Sequence, residues 1–198
     1  MANHILTNLD DTYTTSHSNL GKIEGLRGND AIIVSGELAR QIDGDQGDDD
    51  LSGAELIFGG NGDDMIANAQ VAYGGDGDDV FATSIATAYG GAGDNTYNMN
   101  AGSTAYAGAG HELFFLEQDQ SPAGDFAILH DDAATYLANG AQDIIAIDAP
   151  IESFVFSRIV EAETGDPTTA VLVEADGLDY GLILTDFFDG PLPDDVRT

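Results

Sequence analysis

The stretch "FGGNGDDMIANAQVAYGGDGDDVFATSIATAYGGAGDNTYNM", Phe58 to Met99, repeats one pattern three times: an aromatic residue, two glycines, a variable residue, a third glycine, an acid, then Asp or Asn, with an apolar residue two further on. Taking that Asp or Asn as a marker and moving outward gives Asp11, Asp30, Asp49, Asp64, Asp79, Asn95 and Glu112, at steps of 19, 19, 15, 15, 16 and 17 residues. A register this regular marks stacked repeat units.

Two residues after each marker stands an apolar side chain: Tyr13, Ile32, Leu51, Ile66, Phe81, Tyr97 and Phe114. A second column, Ile23, Ile42, Ile57, Ala72, Ala88 and Ala105, precedes each turn. Two inward places per ~16 residues describe strand, turn, strand and turn, which is one coil of a parallel solenoid and neither a helix nor a hairpin meander. The columns complement each other in size, since the later coils set Phe81, Tyr97 and Phe114 against alanines, as a narrow core without voids requires. The expected fold is all-β: a parallel β-roll or β-solenoid of about six to seven coils over residues 1–112, then an antiparallel β cap over 113–198.

Charge narrows the partners. Five basic residues face 36 acidic ones, for a net charge of −31, so the chain repels nucleic acid and anionic membranes and attracts cations. Adaptation of the surface to solubility or high salt explains scattered acids but predicts no register. With no cysteine, disulfides and thiolate metal sites are excluded. The start, "MANHILTNLDD", lacks the basic and apolar regions of a cleavable signal peptide. No apolar run approaches the ~18 residues that cross a bilayer, so no transmembrane segment is expected.

Parallel strands stack ~4.8 Å apart, which sets equivalent carboxylates of successive coils about that far from each other. At an effective dielectric near 20 such a pair repels by roughly 3 kcal/mol. Calcium bonds oxygen at ~2.3–2.6 Å, so an ion midway between two stacked carboxylates reverses the sign of the interaction. Glycines add turn conformations with positive φ that aim backbone carbonyls at the ion. Two other loop chemistries fail. "GGNG" lacks the third glycine of a dinucleotide loop and its acids repel phosphate. "DDDLSG", Asp48 to Gly53, begins like a helix-loop-helix calcium loop, but Gly59 stands where its twelfth-position glutamate belongs.

"GGNGDDMIA" and "GGDGDDVFA" resemble the nonapeptide G-G-x-G-x-D-x-U-x of the RTX (hemolysin-type) calcium-binding repeats, where U is large and apolar. "GGAGDNTYN" matches with Asn95 for the aspartate, "GDQGDDDLS" with Asp45 for the second glycine, and "GLRGNDAII" with Leu26 there. The resemblance implies a β-roll in which motif carbonyls and the sixth-position Asp hold Ca²⁺ between stacked turns. It also implies a secreted bacterial protein, exported by a type I route that reads an uncleaved C-terminal signal; "DFFDGPLPDDVRT" is the candidate signal. Typical members set nonapeptides back to back, whereas here each alternates with a spacer such as "NAQVAY" or "TSIATAY". The expectation is one row of three to five calcium ions on one edge and a metal-free opposite edge.

The residues expected to hold that row are Asp30; Gly44, Gln46, Gly47 and Asp49; Gly59, Gly60, Asn61, Gly62 and Asp64; Gly74, Gly75, Asp76, Gly77 and Asp79; and Gly90, Gly91, Gly93 and Asn95. The firmest sites are expected between Asp49 and Asp64, Asp64 and Asp79, and Asp79 and Asn95. Leu26 and Arg27 weaken the case for Asp30 with Asp49, and Glu112 is expected to end the row.

Phe58, Tyr73, Tyr89 and Tyr106 stand just before each turn and by strand alternation point outward. They are either a stack that stabilises the sheet or a candidate binding stripe for a glycan, a cell-surface partner or a second copy. Past Glu112 the segments "LFFL", "FAIL", "DIIAID", "SFVFS", "AVLVEA" and "YGLILTDFF" read as the strands of the cap. "NGAQDIIAID", Asn139 to Asp148, is similar to the segment that follows the repeats in many RTX proteins.

The histidines, His4, His17, His111 and His130, have neither metal spacing nor a nucleophile partner, and no G-x-S-x-G is present. The sequence therefore reads as a secreted calcium-binding repeat protein with a structural, adhesive or interaction role and not as an enzyme. The opposing reading is an enzyme, or an accessory module of one, acting on an acidic polysaccharide.

Overall fold

The computed structural model describes residues 2–117, 126–130, 144–148, 154–159, 170–175 and 181–185. They form a parallel β-solenoid of about seven turns with two strand columns. One column contains β1 (Ala2–Ile5), β3 (Leu20–Arg27), β5 (Ala39–Gln46), β9 (Ile85–Ala92), β11 (Thr104–Tyr106), β13 (Phe126–His130) and β17 (Gly181–Thr185). The other contains β2 (Thr12–Thr15), β4 (Ala31–Val34), β8 (Val80–Phe81), β10 (Thr96–Met99), β12 (Leu113–Glu117) and β14 (Ile144–Asp148). β6 (Asp50–Asn61) and β7 (Met65–Asp76) each run through both columns. No helix of the described residues is long and apolar enough to cross a membrane.

The long strands arise where the coil shortens to 15 residues. In place of the wider Ser35–Leu38 turn of the preceding coil, Gly53 (φ 97°) and Asn68 (φ 51°) bend the chain without leaving the strand. The Asn68 amide donates to Ser52 Oγ at 2.9 Å, joining the two coils at that bend.

Both apolar columns face inward in register. Ile23, Ile42, Ile57, Ala72, Ala88 and Ala105 pair in succession, and all are buried. So do Ile32, Leu51, Ile66, Phe81, Tyr97 and Phe114, with Tyr13 half-buried at the first coil. Phe81, Tyr97 and Phe114 stack at centroid separations of 4.8 and 4.8 Å and share the core with the alanines.

Parallel stacking does not stop at residue 112. "LFFL", "FAIL" and "DIIAID", expected as antiparallel cap strands, extend the two columns: Tyr97 pairs with Phe114 and Phe114 with Ile145, while Ala105 pairs with Leu129. The antiparallel pairings among the described residues are those of β16 with β15 (Phe154–Ile159) and with β17, β16 being Ala170–Ala175. The inward side chains, not the glycine turns, carry the register. Phe114, Leu116, Ala127 and Leu129 are fully buried and keep the alternation after the glycine motif has ended. The candidate export signal, residues 186–198, lies outside the described residues.

Candidate metal centre

The glycine-rich turns connect the first column to the second and lie above one another on one edge. Their marker residues point into the solenoid: Asp30, Asp49, Asp64, Asp79, Asn95 and Glu112 are all buried at 2% exposure or less. Each carboxylate is held by one oxygen. Asp11 N–H donates to Asp30 Oδ1 at 2.8 Å, Asp30 to Asp49 at 2.7 Å, Asp49 to Asp64 at 2.9 Å, and Asp64 to Asp79 at 3.0 Å. The other oxygen is left over. Oδ2 of Asp30, Asp49, Asp64 and Asp79 are the buried side-chain polar atoms without a partner among the described residues.

Each orphan oxygen and one carbonyl of the next coil border the Cβ position of the same glycine. The point where a Cβ of Gly59 would stand is occupied by Asp64 Oδ2 and lies 2.7 Å from the Gly74 carbonyl oxygen. Gly44 repeats this with Asp49 and the Gly59 oxygen, Gly74 with Asp79 and the Gly90 oxygen, and Gly25 with Asp30 and the Gly44 oxygen. Two acceptors directed at one place without a donor between them repel each other, and an unsatisfied buried acceptor costs ~1–3 kcal/mol, more when charged. Burial is accordingly the main force raising these carboxyls, to about 6 for Asp49, about 8 for Asp64 and about 7 for Asp79, with Asp30 raised as well. The hydrogen bond from the preceding coil opposes this, and neighbouring carboxylates add to it. A hard cation needs oxygens alone, arranged loosely, and the row supplies these. Among the described residues no three His, Asp or Glu side chains gather as a cage, so an ion here would draw the rest of its shell from backbone and water.

Asn95 ends the orphan series. Its Oδ1 accepts from Asp79 N–H at 2.9 Å, as an aspartate would, but its Nδ2 donates to Gly93 O and Glu112 Oε1, both at 3.4 Å. The place beside Gly90 is filled by Tyr97 Oη and Asn95 Nδ2 instead of an acid and a carbonyl. At the other end, Asp30 carries the same orphan geometry as its successors, because Leu26 accepts φ 82° where Gly60 and Gly75 take 124° and 127°. The four-membered series of orphan oxygens therefore runs from Asp30 to Asp79 and does not include Asn95.

Several of the expected residues also tie turn to turn. The carbonyls of Gln46, Asn61 and Asp76 accept from Gly28, Gly47 and Gly62 N–H at 2.9, 2.9 and 2.8 Å, tying turn to turn. Gly47, Gly62, Gly77 and Gly93 provide the positive φ angles of 130°, 126°, 137° and 119° that close each turn. Gly91 stands at φ 108°, one coil after Gly75.

A second ladder runs beside the first and was missed. The residue before each marker, exposed, accepts from the following coil: Asp63 N–H donates to Asp48 Oδ1 (3.0 Å), Asp78 to Asp63 (2.8 Å), Asp94 to Asp78 (2.7 Å) and His111 to Asp94 (2.8 Å). Inner bonds point up the chain and outer bonds down it. The signal was legible, since Asp or Asn precedes the marker at Asp10, Asn29, Asp48, Asp63, Asp78 and Asp94.

On the neighbouring sheet face Phe58, Tyr73, Tyr89 and Tyr106 form a continuous stack, with centroids 5.0, 4.7 and 4.5 Å apart and planes within 12°. The inner rings of that stack present their edges outward, because their faces cover one another.

Fold and site together define a parallel β-solenoid with a single file of buried acids along one edge. No protein-family model matches the chain, and no curated protein matches its sequence.

Proposed function

We propose that this protein is a calcium-binding β-solenoid in which Asp30, Asp49, Asp64 and Asp79 hold a single row of Ca²⁺, together with the carbonyls of Gly44, Gly59, Gly74 and Gly90. The observation that carries the reading is the set of four buried, unpartnered Oδ2 atoms, each beside a glycine whose Cβ position a carbonyl oxygen of the next coil also borders. Protons can relieve one carboxylate at a time at low pH; a divalent cation relieves the row at neutral pH. The similarity of the turns to RTX nonapeptides supports the same conclusion, as does a net charge of −31.

The single row follows from the spacers. On the opposite edge no described residue leaves a buried side-chain oxygen unpartnered, so that edge offers an ion nothing comparable. The role that suits such a rod is structural, adhesive or one of interaction, outside the cell, after type I export. Extracellular calcium modules work at Kd of about 10⁻⁴–10⁻³ M, a range in which the ions load only after export.

Native mass spectrometry of the chain exchanged into Ca²⁺ or Mg²⁺ tests the proposal. The expected result is four calcium ions per chain and little magnesium, whose strict octahedral shell the irregular turns do not supply. Equal uptake of both, or of neither, contradicts it.

A further inference from the structure

The aromatic stack ends abruptly. Its column continues toward the N-terminus as acids: Phe58 is in register with Asp43, and Asp43 with Glu24. One face of Phe58 lies on Tyr73, so the other looks along the solenoid axis over the coil of Asp43. An open groove of about 470 Å³ occupies this step, lined by Gln41, Asp43, Asp45, Phe58 and Asn61 with the Gly59–Gly60 backbone. It adjoins a second hollow of about 290 Å³ that shares Asp45 and Asn61 and adds Asn8 and Arg27.

The lining divides by role. Asp43 is already engaged, by Lys22 Nζ on one oxygen and by Gln41 Nε2 at 2.7 Å on the other. Asp45 and Asn61 are exposed and make no side-chain hydrogen bond among the described residues. What remains is the half-buried Phe58 ring, lining the groove beside a carboxylate, a carboxamide and the Gln41 amide oxygen. We infer that this groove binds a saccharide without negative charge, one pyranose ring lying on Phe58 and its hydroxyls reaching Asp45, Asn61 and Gln41.

Chemistry selects that ligand class. A pyranose has a face of C–H groups that covers an aromatic ring and an edge of adjacent hydroxyls that planar carboxylates and amides take in pairs. An anionic ligand meets Asp43, Asp45 and the net charge of −31. A purely apolar ligand leaves Asp45 and Asn61 desolvated without partners. A lone cation finds only the Asp45 carboxylate free. This inference rests on the fold and not on the ion row, although Gly59 borders both sites.

The test uses the full chain with calcium present, at ~0.15 M salt to screen non-specific attraction. Saturation-transfer NMR is run with tetramers of β-1,4-glucose, glucosamine and galacturonate, on wild type, Phe58→Ala and Asn61→Ala. Circular dichroism of each protein reports the fold separately; if Phe58→Ala does not fold, Asn61→Ala decides. The expected result is transfer to glucose or glucosamine tetramers, none to galacturonate, and affinity about tenfold weaker in each folded variant. Transfer to neither uncharged nor basic probe, equal transfer to galacturonate, or binding that survives either substitution in a folded variant overturns the proposal.

Discussion

Asp49 and Asp64 are joined through one carboxylate oxygen: Asp49 N–H donates to Asp64 Oδ1 at 2.9 Å, while Asp64 Oδ2, equally buried, has no partner among the described residues. The same half-satisfied carboxylate recurs at Asp30, Asp49 and Asp79. One unsatisfied atom thus repeats four times in register, and the predictions below turn on it.

Acid should stabilise the metal-free protein. Asp49, Asp64 and Asp79 titrate at about 6, 8 and 7 in the fold, against ~3.9 in an unfolded chain. The fold thus binds more protons than the unfolded state, and stability falls as pH rises from about 5 to above 8. Calcium affinity should move the opposite way, rising over the same range as protons leave the row. Urea unfolding in chelator at pH 5 and pH 8.5 checks the first; calcium titrations at both pH values check the second.

Asp64→Asn should imitate Asn95. The acceptor for Asp49 N–H remains, while the orphan oxygen becomes a donor beside Gly59, whose Cβ position the Gly74 carbonyl also borders. The metal-free protein is expected to gain about 1–3 kcal/mol at pH 8.5, and calcium stoichiometry to drop by one. Paired denaturation and native mass spectrometry measure both.

Gly74→Ala should do harm in both states. The new methyl would enter the place held by Asp79 Oδ2 and stand 2.6 Å from the Gly90 carbonyl oxygen. Leu26→Gly should do the reverse, relieving a left-handed leucine at φ 82° and raising stability by about 1 kcal/mol. Melting curves of the two variants should shift in opposite directions.

Tyr73→Ala removes two ring stacks, at 5.0 and 4.7 Å. At ~0.5–1.5 kcal/mol per stack it should cost about 1–3 kcal/mol. Phe81→Ala empties a buried core position and should cost about 3–5 kcal/mol. Chemical denaturation of the two variants gives the ratio.

The solenoid was legible because each inward side chain sits at a constant offset from its marker; Ile66 and Phe81 announce their pairing two residues after Asp64 and Asp79. The ends of the orphan-carboxylate series were less legible. Leu26 looked unfit for its turn, but the backbone tolerates its positive φ; Asn95 looked like a conservative substitute, but its amide donates where an acid cannot. The continuation past Glu112 was hidden because glycine stops there while Phe114 and Leu116 continue the core. The groove at Phe58 needed the register of Asp43 beneath it, although Asp43 follows Ile42 just as Phe58 follows Ile57.

Circular dichroism of chelator-treated protein at pH 8, titrated with calcium while calorimetry counts the ions, tests the central claim most directly. The account predicts a chain poorly folded without calcium that gains β-structure cooperatively as four ions bind. Full structure in chelator at that pH, or no calcium uptake, contradicts it.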